Sequence, residues 1–264
     1  MTLCAMMFFA LVSCTEISQE VQITDTQLLW IVNKTNPIDE NFKPGSLTEH
    51  QGVKLHTEAR DAFVKMKEAM QNDGIDGLRL QSAYRPYHYQ RAIFDQRVKE
   101  LVQKGNTKDE ATYKASQSIQ RPGASEHQTG LALDVSINGV LNQSFADTDA
   151  GKWIDENCHN FGFVIRYPEF KTEITQIIYE PWHLRYVGNP HASIMKENNL
   201  TLEEYWSFIK ESGIYIVWHE NDEYTLVVYA NEMPTDGEII SVSSNTQKNA
   251  SEYIAAIKKL PNGR

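Results

Sequence analysis

The chain has 264 residues, with 35 Asp+Glu against 25 Lys+Arg, a formal charge of -10, and is 41% hydrophobic and 23% charged. That length buries one sizeable core. The charge has the wrong sign for the phosphate attraction that dominates nucleic-acid binding. A mean hydropathy of -0.47, without an apolar run of about 18 residues, excludes a membrane-spanning helix.

Residues 3–12, LCAMMFFALV, are apolar but too short to span a bilayer, and they lead into LVSC. Residues 1–14 read as a signal peptide in which Ser13 and Cys14 resemble a bacterial lipobox, so Cys14 is expected to be acylated and to tether an extracytoplasmic protein to the membrane. No Lys or Arg precedes the apolar run, and an ordinary secretory signal is the alternative. Residues 15–27 are polar and aperiodic, as a linker would be. Of the three cysteines, Cys4 leaves with the signal, Cys14 takes lipid, and Cys158 remains alone, so no disulfide framework is expected. Cys158 falls in a helical pattern with Trp153, Ile154 and Phe161, the setting of a buried structural thiol.

Order is expected from LLWIV onward. Leu55, Ala59, Ala62, Phe63, Met66 and Met70 share one face of a helix over 55–72, which Gly74 ends. A strand, LRLQSAY, follows. Ile93, Phe94, Val98, Leu101 and Val102 mark a second helix stopping at Gly105, and Thr107 with Glu110 forms a capping box that opens a third. Residues 131–137 read as a strand, about 147–160 as a fourth helix, and the apolar stretch from Ile177 to Val187 as another strand. LTLEEYWSFIK is helical in pattern, and IYIVW and TLVVYA flank HENDEY as a hairpin. The tail from EIISVSS is read as turn-rich, with a short helix before Pro261. Helices and short strands interleave without the spacing of a doubly wound sheet, which makes the class α+β.

Two of the eight histidines stand in unusual company. His127 lies seven residues before Asp134, and His183 lies three residues after Glu180. A catalytic zinc site needs three nitrogen or oxygen ligands and one open position. His127, Asp134 and His183 supply that set, and Glu180 is the carboxylate left to take a proton from water as it attacks a carbonyl. With LALDV as a strand, Leu131, Leu133 and Val135 point to the core and Asp134 to the other face. Three residues along a regular strand would set Glu180 and His183 on opposite faces, so Pro181 is expected to mark an irregularity that brings both to the metal. In SAYRPYHYQ, Arg85 offers a guanidinium fork that suits a carboxylate, or else a surface ion pair.

At these segments the sequence resembles the VanY-type D-alanyl-D-alanine carboxypeptidases, zinc peptidases that trim peptidoglycan stems. SAYRPYHYQ is similar to the family's Ser-x-Tyr-Arg-x-x-x-x-Gln element, SEHQTGLALD to Ser-x-His-x-x-Gly-x-Ala-x-Asp, and EPWHLRYVG to Glu-x-x-His. The resemblance covers roughly residues 28–212 and implies a small α+β zinc peptidase fold, with a central antiparallel sheet, shared in outline with the hedgehog signalling domain. It makes His127, Asp134 and His183 zinc ligands, Glu180 the base, and Arg85 the partner of the substrate's terminal carboxylate, with Gln90 and Ser125 as supporting hydrogen-bond partners. Gln176 stands where a glycine is common, and residues 213–264 lie outside the resemblance with no role assigned. The expected activity is removal of the terminal D-alanine from peptidoglycan stems. An L,D-carboxypeptidase acting on tetrapeptide stems and a non-catalytic cell-wall binding lipoprotein are the alternatives.

Overall fold

The computed structural model describes residues 27–219, 224–232, 238–244 and 252–259. The segments expected to be a signal peptide with Cys14 and a linker, up to residue 26, and most of the HENDEY turn lie outside the described residues. Among the described residues no helix is long and apolar enough to cross a membrane.

A hairpin, β1 (Leu47–His50) and β2 (Val53–His56), turns through Gln51 and Gly52, both at positive φ as a type I′ turn requires. Leu55 therefore belongs to a strand, and the expected helix starts two residues later as α1 (Thr57–Asn72). Ala59, Phe63, Met66 and Met70 are its buried face, each of the larger side chains contributing about 1.5–3 kcal/mol by leaving water. Then come β3 (Arg79–Ser82), α2 (Tyr87–Gln103) and α3 (Lys108–Ala115), the last opened by the Thr107–Glu110 capping box. A one-turn 3-10 helix at Glu126–Thr129 precedes β4 (Ala132–Ser136), and α4 (Asp149–Asn157), capped by Thr148, passes into a 3-10 turn at Cys158–Phe161. Next are β5 (Phe163–Ile165), α5 (Thr172–Thr175), β6 (His183–Tyr186), α6 (His191–Glu197) and α7 (Leu202–Ser212). The chain closes with β7 (Ile214–Trp218), β8 (Tyr224–Ala230), β9 (Glu238–Ser244) and β10 (Tyr253–Lys259).

The central sheet has the order β3-β4-β6-β5 and is antiparallel throughout, and one of its faces packs on α1 and α4 through Phe63, Met66, Leu133, Val135, Ile154 and Leu184. Its register sets Ser82 opposite Asp134 and Asp134 opposite His183, so all three chemical motifs meet on neighbouring strands. Cys158 is buried in this core, its thiol donating to the Phe163 carbonyl, and burial pushes its pKa up to about 12. That is an inert thiol.

Three readings are corrected. The strand expected over 177–187 is confined to His183–Tyr186, because Pro181 cannot donate to a ladder. The supposedly turn-rich tail contains β9, whose Ser243 and Ser244 hydroxyls accept from the Leu29 N–H and Trp30 Nε1 of the opening segment. The closing helix is instead β10, an inner strand of a second antiparallel sheet, β7-β8-β10-β9, in which small Ala255 and Ala256 are fully buried. Tertiary pairing overrides their helical propensity. This sheet packs on α6 and α7 through Leu202, Tyr205, Ile209, Val227 and Ile254.

Candidate active site

Gly130 follows the 3-10 turn at φ +77°, where a Cβ would stand 2.9 Å from Leu47 Cδ2 and 3.1 Å from the His56 N–H nitrogen. Only glycine enters β4 at this angle. The turn is tightened by Thr129, whose hydroxyl donates to the Glu126 carbonyl at 2.6 Å and accepts from Leu131 N–H at 3.0 Å. His127 is thereby aimed across the strand end, where its Nδ1 meets the Ala83 carbonyl at 2.6 Å. A carbonyl can only accept, so Nδ1 carries the proton and the Nε2 lone pair is left for a metal.

That Nε2 lies 3.2 Å from Asp134 Oδ2, and His183 Nδ1 lies 3.1 Å from Asp134 Oδ1. Ligand atoms about 2 Å from one tetrahedral ion sit roughly 3.3 Å from each other, so the separations suit a shared cation. The three donor atoms all fall within 4.8 Å of one another, every residue is buried, and the ring atom His127 Nε2 has no hydrogen-bond partner. Two imidazoles and a carboxylate are also the donor types zinc accepts. Ser82 donates to Asp134 Oδ2 at 2.6 Å and fixes its rotamer.

Pro181 and Trp182 occupy a turn closed by the His183 N–H donating to the Glu180 carbonyl at 3.1 Å, with Glu180 N–H held by the Tyr167 carbonyl at 3.0 Å. This is the irregularity expected at Pro181. It brings Glu180 Oε2 within 3.8 Å of His183 Nδ1. Arg85 Nη1 stands 3.6 Å from Asp134 Oδ2, and its Nε is buried without a partner. A cavity of about 250 Å³ is lined by Arg85, Ser125, His127, Asp134, Glu180 and His183.

The electrostatics separate the carboxylates. Burial pushes the Asp134 carboxyl up, but His127 and His183 outweigh it and hold the pKa well below the ordinary value. Burial raises Glu180 to about 7, with Asp134 adding to the rise and His183 and Arg85 opposing it. His127 is lowered to about 4 by burial and by the Arg85 cation. Asp134 is therefore a fixed anion and Glu180 a group that exchanges protons near neutrality.

Gln90 and Ser125 both line the cavity. The Gln90 amide donates to the Gln120 carbonyl at 2.6 Å, so it holds the loop at the cavity wall, while Ser125 makes no cap bond to the turn that it begins. Two features escaped the sequence reading. Tyr167 packs its ring 4.9 Å from that of His183. Glu126, Arg166 and Arg185, all buried, form a charged cluster behind the site: Glu126 Oε1 lies 2.7 Å from Arg166 Nε and 2.8 Å from Arg185 Nη1, and Arg166 reaches Glu203 on α7 at 2.6 Å. Arginines inside the apolar runs FGFVIRYP and HLRYVG were the available signal.

A buried His-Asp-His cluster with a carboxylate beside it, on a mixed α+β frame, defines a zinc peptidase. The family model for VanY, D-alanyl-D-alanine carboxypeptidase, matches residues 52–189. YodJ of Bacillus subtilis (strain 168) is 40% identical over 197 residues, 70% of this chain and 68% of that protein. Two solved structures are similar: the LdcB LD-carboxypeptidase, 38% identical with a TM-score of 0.60 over 68% of this chain and 86% of that one, and the vancomycin-resistance D,D-pentapeptidase VanY in complex with Zn(II), 36% identical with a TM-score of 0.60 over 67% and 97%. The chain belongs to the VanY family of D-alanyl-D-alanine carboxypeptidases.

Proposed function

We propose that this zinc peptidase removes the C-terminal D-alanine from peptidoglycan stem peptides outside the cytoplasm. The observation that carries the reading is the convergence of His127, Asp134, His183, Glu180 and Arg85 on one cavity. His127, Asp134 and His183 would hold the zinc, which when bound supplies Lewis acidity toward a carbonyl and toward water. Glu180, with a pKa raised to about 7, takes the proton of the attacking water and returns it to the leaving amine. Arg85, whose Nε is buried and unpartnered, binds the terminal carboxylate and so confines cleavage to the last residue. Ser125 supplies a hydroxyl to the same carboxylate.

Incubating the zinc-loaded protein with pentapeptide and tetrapeptide stems, with mass spectrometry of the products, tests the reading. Loss of one alanine from the pentapeptide is the expected result. Loss from the tetrapeptide alone would select the second reading, an L,D-carboxypeptidase, which the 38% identity to LdcB supports. Amidating the terminal carboxyl should abolish most cleavage, and equal cleavage of acid and amide would remove Arg85 from its role. The lipid anchor at Cys14 is a separate proposal, supported by LVSC. A Cys14→Ala protein should leave the membrane fraction, and an unchanged distribution would sink the anchor without touching the enzymology.

A further inference from the structure

The charged cluster behind the site has a layout that stability alone does not explain. Glu126 and Glu203 face Arg166 and Arg185, and replacing such an interior ion-pair set by apolar side chains of similar volume often leaves a fold equally stable or more so. What distinguishes this set is where its bonds land. Glu126 immediately precedes His127 in the 3-10 turn, and its Oε1 meets Arg166 Nε at 2.7 Å and Arg185 Nη1 at 2.8 Å. Arg185 stands two residues after His183 on β6, hence on the same face of the sheet. The Arg166 N–H donates to the His183 carbonyl at 3.0 Å. Its guanidinium lies 5.2 Å from the centroid of the Tyr167 ring, which itself packs against His183, and the Tyr167 carbonyl holds the Glu180 N–H. The segments that carry His127, His183 and Glu180 therefore meet at Arg166. On its far side Arg166 is gripped by a fork, Nη1 to Glu203 Oε2 at 2.9 Å and Nη2 to Glu203 Oε1 at 2.6 Å. Two parallel contacts fix the plane of a guanidinium that one contact would leave free to turn. Glu203 lies in the first turn of α7, the helix that packs on the C-terminal sheet.

We propose that Arg166 is a positioning residue for the metal-binding cluster, and that Glu203, clamping it from α7, sets the orientation of His183 and the reach of Glu180. Neither Arg166 nor Glu203 lines the catalytic cavity, so both act through the residues that do. By this route α7, with the C-terminal sheet behind it, belongs to the frame of the site. The inference rests on the zinc-peptidase reading above and goes beyond it.

The test compares three variants of the full chain well below their unfolding temperatures. Arg166→Lys keeps the charge and loses the fork. Glu203→Gln alters the clamp at the edge of the cluster, where the side chain is 18% exposed and the fold is least disturbed. Lys171→Met is the control: it removes a neighbouring ion pair between α7 and the stretch joining β5 to β6, Lys171 Nζ to Glu204 Oε1 at 2.9 Å, which reaches no site residue. Zinc affinity is measured by competition with a chromophoric chelator, the site's geometry by the visible absorption of the cobalt-substituted protein, and turnover by D-alanine release. Arg166→Lys should weaken zinc binding roughly 10- to 100-fold, the range found for outer partners of metal ligands, with a changed cobalt spectrum and a loss in kcat rather than KM. Glu203→Gln should move the same readouts by about tenfold, the lower end of that range, and it decides alone if Arg166→Lys does not fold. Lys171→Met should move none of them. If the wild type binds metal and releases no alanine, affinity and spectrum still establish the positioning role while the assigned reaction falls. Variants that melt earlier yet keep wild-type affinity, spectrum and kcat overturn the proposal, as do equal losses in Lys171→Met or a wild type that binds neither metal.

Discussion

Asp134, Glu126, Arg166 and Arg185 around the central sheet are all at most 4% exposed, and each is held by an opposite charge or a histidine from another element. Among the described residues of the C-terminal sheet the buried polar ones are hydroxyls, Thr225, Ser243 and Ser244, set among Val227, Val242, Ile254 and Ala255. Both sheets are four-stranded and antiparallel, so the difference does not come from topology. Burying a charge costs several kcal/mol unless it is paired and hydrogen-bonded. The central sheet accepts that cost beside the His127-Asp134-His183 cluster, whereas the described residues of the C-terminal sheet bury no charge.

The largest effects should fall on the cluster itself. His127→Ala and His183→Ala should lose bound zinc and activity together, whereas Glu180→Gln should keep its metal and lose about 10²- to 10⁴-fold in kcat. Metal analysis beside D-alanine release checks this. Loss of zinc from the Glu180→Gln protein would mean that ligand and base have been wrongly separated.

Next is the charged cluster. Glu126→Leu leaves Arg185 buried without its carboxylate and Arg166 with only Glu203, which should cost about 3–5 kcal/mol of stability. Ser243→Ala in the other sheet removes the acceptor of the Leu29 N–H and the hydroxyl that donates to the Ser244 carbonyl, and should cost about 1–2 kcal/mol. Denaturant unfolding measures both. Equal losses would break the contrast between the two sheets.

How much of this was legible in the sequence follows from the same contrast. The grouping was readable from side-chain type and spacing: His127, Asp134 and His183 bring possible ligand atoms within 4.8 Å of one another, and Pro181 marks the turn that joins Glu180 to His183. The capping box at Thr107 and the buried face of α1 are local patterns and were equally plain. The C-terminal sheet was half hidden because β9 and β10 are decided by partners far away, Leu29 and Trp30 among them, while serines and alanines carry turn and helix signals of their own. The Glu126 cluster was hidden for a related reason, since an ion pair between residues 40 and 59 positions apart leaves no periodicity.

A pH titration sharpens the comparison further. His191 joins the two regions: its Nδ1 is 2.7 Å from the Tyr205 hydroxyl and its Nε2 2.8 Å from the Ser241 hydroxyl of β9. Burial lowers its pKa from 6.5 to about 4, so between those values the unfolded chain takes up a proton that the folded chain refuses. Its contribution is fully present above pH 6.5 and declines by about 1.4 kcal/mol per pH unit as the pH falls toward 4. Unfolding curves for the wild type and His191→Gln should therefore converge over that window, and curves that stay parallel would show that the histidine remains neutral in neither state or both.

The smallest effect concerns the loop between β5 and β6. Gln176 closes α5 at φ 62° and ψ 19°, a conformation glycine adopts without strain. Gln176→Gly should raise stability by about 0.5–1 kcal/mol even though it deletes a side chain, because the native backbone strain it relieves exceeds the extra freedom it gives the unfolded chain. Gln176→Ala deletes the same polar group but keeps a Cβ in the left-handed region, and should gain nothing. Comparing the two by thermal unfolding isolates backbone strain from side-chain loss. If glycine and alanine behave alike, backbone strain is not what residue 176 costs the fold.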